Sequence, residues 1–164
     1  MVQLPQMKMT RVLSMNAENN LTFEAVNPAY PPLGSVISSS IGSPTPEKIA
    51  QVLQRYRQPN QFLIGAFSSE NLIAVIGFEL NGMQATIKHI SVVDEFRNQG
   101  IGKSLIHSLI KDYTPSTISL ETDEESVDFY KKLGFMCEPF TSKYGMRYLC
   151  SSSNLSNLLF KPIE

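Results

Sequence analysis

The residue types best suited to chemistry lie in one run, His89-Ile90-Ser91-Val92-Val93-Asp94-Glu95-Phe96-Arg97-Asn98-Gln99-Gly100-Ile101-Gly102-Lys103-Ser104. Glycines at 100 and 102 let the backbone turn sharply and leave its amides open to close approach by a ligand. The apolar periodicity of Ile101, Leu105, Ile106, Leu109 and Ile110 starts a helix at the same point. Its unpaired first-turn amides, with the positive end of the helix dipole behind them, suit an anion such as a phosphate. Arg97 and Lys103 flank the turn and add charged donors. The run does not match two common phosphate loops. A P-loop needs glycine at 97, where Arg97 stands, and a dinucleotide fingerprint needs one at 105, where Leu105 stands.

Other elements must hold that turn in place. The branched, apolar stretch ending at Val93 reads as a long strand, preceded by two more from Phe62 to Phe67 and from Leu72 to Leu80. Ser68-Ser69-Glu70-Asn71 and Asn81-Gly82 are turn sequences, so the three strands are expected to pair antiparallel in order. Leu21 to Val26 alternates like a short strand, whereas the first twenty residues are weakly patterned. Thr45-Pro46-Glu47 opens a helix carrying Ile49, Val52, Leu53 and Tyr56, which Gln58-Pro59-Asn60 ends. After the glycine turn and its helix, which runs to about Asp112, Thr117 to Glu121 is a strand. Thr122-x-x-Glu125 reads as a capping box opening a helix with Val127, Phe129, Tyr130 and Leu133, stopped at Gly134. Strands near Phe135 to Glu138 and Lys143 to Cys150 complete a mixed α/β or α+β sheet domain.

Composition narrows the function. A chain of 164 residues that is 42% hydrophobic and 18% charged is expected to fold as one domain over 1–164, with its core at about 20–150. A net charge of -1 argues against a general nucleic-acid surface. No run approaches the ~18 apolar residues of a membrane span, and Met1-Val2-Gln3-Leu4-Pro5 does not start like a leader, so a cytoplasmic protein is expected. Cys137 and Cys150 stand outside any zinc spacing; they could face each other on neighbouring strands, but two buried free thiols are the expectation. No metal is expected.

Arg97-Asn98-Gln99-Gly100-Ile101-Gly102 resembles motif A of the GNAT superfamily of acyl-CoA-dependent N-acetyltransferases, and Ile90 to Val92 lies at the matching distance before it. Asp123-x-x-Ser126-x-x-x-Tyr130-x-x-Leu133-Gly134-Phe135 is similar to the family's second signature. The resemblance covers roughly residues 46–150. It implies a central, mostly antiparallel sheet flanked by helices and splayed between two strands. It also implies that the backbone at Ile90, Ser91 and Val92 pairs with the pantetheine arm of acetyl-CoA, while Arg97 to Gly102, with Lys103, holds the pyrophosphate.

The same resemblance places Tyr130 where a hydroxyl reaches the CoA sulfur and can protonate the departing thiolate. Asp123 departs from the family's usual Asn, and a carboxylate cannot copy an amide donor; it is a weak cofactor contact. A glutamate that some members use as base is replaced here by Thr86. Glu121 matches one used by others, His89 has a side chain that ordinarily titrates near neutrality, and Glu79 is a third choice, with water an alternative. The reading is N-acetyl transfer to a small-molecule or peptide amine, in direct transfer, by an enzyme that the resemblance allows to be a homodimer. A non-catalytic acyl-CoA-binding module and an interaction domain are the alternatives.

Overall fold

The computed structural model describes the backbone of residues 8–16 and 20–160 and side-chain surroundings from 20 to 158. The opening Met1-Val2-Gln3-Leu4-Pro5 lies outside the described residues. Among the described residues eight strands form one sheet: β1 (Lys8–Asn16), β2 (Leu21–Val26), β3 (Gln61–Ser68), β4 (Asn71–Asn81), β5 (Gln84–Val92), β6 (Thr117–Thr122), β7 (Met136–Ser142) and β8 (Gly145–Ser152). Their order across the sheet is β1-β2-β3-β4-β5-β6-β8-β7. Every pairing is antiparallel except β5 with β6, which is parallel. The mixed sheet expected from the strand and helix order, mostly antiparallel as the family resemblance implied, is therefore present.

β3 and β4 read as unbroken apolar runs because both of their faces are covered. On one face Ile64, Ala66, Ile76 and Phe78 pack with Ile101, Leu105, Ile106 and Leu109 of α3 (Ile101–Tyr113). On the other, Leu63, Phe67 and Val75 pack with Leu33, Val36 and Ile37 of α1 (Leu33–Ile37) and Val52 and Tyr56 from α2 (Pro46–Arg55) and its end. α2 begins as its sequence predicts, with the Thr45 hydroxyl accepting from the Lys48 amide at 3.1 Å. α4 (Val127–Leu133) and α5 (Leu155–Phe160) complete the helices, and the His107 Nε2 hydrogen-bonds the Leu158 carbonyl at 3.0 Å, tying α5 to α3.

Three expectations change, and residues 27–46, rich in Pro, Ser and Gly, hold α1 and a 3-10 turn at Ser38–Ser40. The stretch read as weakly patterned holds β1, which pairs with β2 through two register shifts that blur its alternation. Thr122 does not cap α4: it is buried in β6 opposite Tyr148, and the Asp123 carboxylate instead accepts the Ser126 amide at 2.9 Å. The competing side chain one residue later wins because Thr122 is still committed to the sheet. Finally, Cys137 and Cys150 are disulfide-bonded and not free thiols, because β7 and β8 set them directly opposite, with Cα atoms 4.0 Å apart.

Candidate active site

β5 leads through Val93 and a 3-10 turn, Asp94–Phe96, into the glycine turn. Gly100 caps α3 at φ 77°, a left-handed conformation that costs an L-residue roughly 1–2 kcal/mol. A β-carbon there would meet nothing within 4 Å, so the space in front of it is open. Helical bonding starts with the Ser104 amide on the Gly100 carbonyl at 3.0 Å, which leaves Ile101 and Gly102 amides without helical acceptors. A β-carbon on Gly102 would sit 3.2 Å from the Phe129 ring and 3.8 Å from Ile90. Strand β5, the start of α3 and α4 thus converge on one glycine.

The side chains of the turn work differently from the sequence expectation. Arg97 folds back: its Nε donates to the Val92 carbonyl at 3.0 Å and its guanidinium lies 3.3 Å from Asp94. It braces the turn. Gln99 reaches the Glu95 carbonyl at 3.4 Å, Asn98 takes a left-handed φ of 62°, and Lys103 is buried at 8% exposure. Donors at the turn are therefore mainly backbone amides. Ser91 turns its hydroxyl to the Val36 carbonyl and the Ser39 hydroxyl on the α1 side, leaving only its backbone for a ligand.

The parallel ladder between β5 and β6 ends early. Gln84, Ala85 and Thr86 pair with Thr117, Ile118 and Ser119, and no pairing follows. Beyond Thr86 the strands part, so Ile90 to Val92 present an edge that β6 does not cover. Unpaired strand edge of this kind is a template for another extended chain. α4 borders this gap. Tyr130 is 4% exposed, its ring edge-on to Phe129 and Phe135 at 4.9 and 5.8 Å. Burial, and then the charge of Asp123, push its phenol up to about 12. No hydrogen bond to its hydroxyl is recorded among the described residues, and none of their fully buried side-chain oxygens lacks a partner. The Tyr130 hydroxyl therefore touches accessible space.

On the opposite sheet face the register of β5 slips. Gly77 faces His89 and Phe78 faces Ile87, so Lys88 is an extra residue in a bulge. The bulge turns His89 toward α2, where its Nδ1 lies 2.6 Å from the Tyr56 hydroxyl. A β-carbon on Gly77 would collide with that phenol, so only glycine lets it lie there. Burial, with the charges of Arg55 and Lys88, brings His89 down to about 4. The expectation of a base titrating near neutrality is corrected: His89 is neutral at pH 7 and a poor proton acceptor. Burial raises Tyr56 above the ordinary phenol value, Arg55 offsetting it only in part.

Glu79 accepts from Gln61 Nε2 at 2.9 Å and Asn60 Nδ2 at 3.2 Å. Glu121 is exposed on β6, on the face opposite Ile118 and Leu120, and forms no recorded hydrogen bond or ion pair among the described residues. It flanks the gap on the His89 side of the sheet. Tyr56, Arg55 and Phe129 were not singled out for function from sequence. The available signal was Gly77, a glycine inside an otherwise branched apolar strand, which marks a close approach.

A sheet opened along one edge beside an amide-lined helix start has the shape and donors to take an extended ligand with an anionic head. The acetyltransferase (GNAT) domain family matches residues 40–149, and the chain belongs to that family. It is 42% identical over 62 residues to the uncharacterized N-acetyltransferase ycf52 of Pyropia yezoensis, a match covering 36% of each chain. The chain thus spans about a third of the length of such curated relatives. Its fold is similar to a GNAT family acetyltransferase from Elizabethkingia anophelis with acetyl-CoA bound, at TM-score 0.64 and 20% identity over 82% of this chain and 99% of that one. It is also similar to the aminoglycoside 6'-N-acetyltransferase from Enterococcus faecium, at TM-score 0.67 and 18% identity over 86% and 99%.

Proposed function

We propose that the chain transfers an acetyl group from acetyl-CoA to a primary amine. The observation that carries this reading is the gap between β5 and β6 opening onto the Gly100–Gly102 turn. The residues fit the cofactor: open space in front of Gly100 and the amides of Ile101 and Gly102 suit the pyrophosphate, and the edge at Ile90, Ser91 and Val92 suits the pantetheine arm. Acetyl-CoA supplies the acetyl group as an activated thioester.

Tyr130 holds its proton at any physiological pH, so its hydroxyl can donate to the departing thiolate at the mouth of the gap. Glu121 is the carboxylate on the acceptor side that receives the proton of the attacking amine. His89 serves as a neutral hydrogen-bonding group and leaves proton removal to Glu121 or water. No nucleophile in the chain needs to carry the acetyl group, since both cysteines are in a disulfide and Ser91 donates into the α1 side. Arg97 and Asp123 shape their turns instead of contacting the cofactor, and Lys103 supports the cradle from a buried position.

The test is release of CoA thiol from acetyl-CoA in the presence of an amine panel. Amine-dependent release that falls on Tyr130→Phe, with acetyl-CoA affinity preserved, supports the reading. Binding without turnover on any amine points to a regulatory acyl-CoA-binding module.

A further inference from the structure

A cavity of about 270 Å³ lies on the α2 face, walled by Arg55, Tyr56, Gln61, Glu79, Lys88 and His89. It is smaller than the roughly 300–1,000 Å³ pockets of drug-sized ligands, so its occupant is small. His89 immediately precedes Ile90, whose side chain faces Gly102 on the other side of the sheet. The cavity therefore abuts the open edge of β5 from the face away from α3.

Its polar groups are unbalanced. Glu79 is already met by the Asn60 and Gln61 amides, with Lys88 Nζ at 4.0 Å. Arg55 forms no recorded ion pair or hydrogen bond among the described residues. The Tyr56 phenol is buried and keeps its proton, and His89 Nδ1, 2.6 Å from its oxygen, is the group placed to accept it. The other tautomer would leave that buried proton without a partner, a costly arrangement. His89 accordingly carries its own proton on Nε2, and no fully buried side-chain nitrogen among the described residues lacks a partner, so that N–H meets the open cavity. With Lys88 and the two amides meeting the one carboxylate, Arg55 and the His89 N–H are the donors left over.

We infer that this cavity reads a carboxylate on the acceptor, so that the amine acetylated belongs to a small, amino-acid-like molecule whose carboxylate lies between Arg55, Lys88 and the His89 N–H. The Tyr56–His89 bond fixes the ring for that contact. The inference rests on the acetyl-transfer reading and narrows it; a polyamine would place further positive charge beside Arg55 and Lys88.

The experiment titrates acetyl-CoA into the full chain first, then measures CoA release with L-amino acids, their carboxamides and spermidine. The expected result is a kcat/KM at least tenfold higher for an acid than for its carboxamide, with Arg55→Gln and Lys88→Gln each bringing that ratio toward one by raising KM for the acid. Carboxamides or spermidine accepted as well as the acids overturns the inference, as does an acid KM unmoved by both substitutions. So does acetyl-CoA binding with no acid turned over. If acetyl-CoA itself does not bind, the transfer reading falls, and the carboxylate reading is decided separately by titrating N-acetyl amino acids and following the His89 ring resonances by NMR. A shift lost in Arg55→Gln supports it, and no shift overturns it.

Discussion

On the α3 side of β5 the groups offered to a ligand are backbone: the amides at Ile101 and Gly102, and the strand edge from Ile90 to Val92. On the α2 side they are side chains brought from α2 and its end, β3, β4 and the β5 bulge. The glycine turn is local, spelled out by contiguous residues. The cavity is assembled from residues as far apart in the chain as Arg55 and His89. On the proposed function, one strand thus separates the part that would hold the cofactor from the part that would meet the acceptor.

The largest effect that would break this contrast is expected at the cradle. Gly102→Val pushes a branched side chain into Phe129 and Ile90, and we expect roughly 100-fold weaker acetyl-CoA binding by calorimetry, about 2.8 kcal/mol. Binding left intact would mean the turn is not the cradle. Tyr130→Phe sharpens the boundary between binding and chemistry: kcat should drop by about 10- to 100-fold at an unchanged acetyl-CoA Kd. Wild-type activity should also show no loss from Tyr130 ionisation up to pH 10, because the phenol is raised to about 12.

Other substitutions should act mainly on stability. Replacing both Cys137 and Cys150 with Ser opens a bond across 13 residues and should cost about 2–3 kcal/mol in denaturant unfolding, without changing acetyl-CoA affinity. Thr45→Ala removes the α2 cap and should cost about 1 kcal/mol, with its functional consequence confined to the acceptor side. The pH dependence follows from His89. Unfolded, it takes up a proton near 6.5; folded, not until about 4, so acidification through that window favours unfolding. The loss ends near pH 4, and His89→Asn should flatten that part of the stability curve.

The contrast also explains what could be read from the sequence. β3 to β5, α2 and α3 were legible because apolar runs, turn pairs and the Thr45 cap act over a few residues. The glycine turn was legible for the same reason, its glycines answering to local backbone needs. β1 was hidden by its register shifts, and the Asp123 turn ahead of α4 by a threonine that looked equally suitable. Arg97 and His89 kept their expected positions, yet their states are set by what surrounds them in space. Arg97 is drawn to Val92 and Asp94, and His89 is turned by a one-residue bulge onto a tyrosine 33 positions away. Sequence spacing carries neither fact.

The central claim is most directly tested by calorimetric titration of acetyl-CoA into the full chain, with desulfo-CoA and free adenosine as comparisons. The account predicts saturable one-site binding of acetyl-CoA and desulfo-CoA that Gly102→Val removes, with adenosine far weaker because the cradle grips the pyrophosphate and the β5 edge grips the arm. Absence of acetyl-CoA binding, or binding untouched by Gly102→Val, would contradict it.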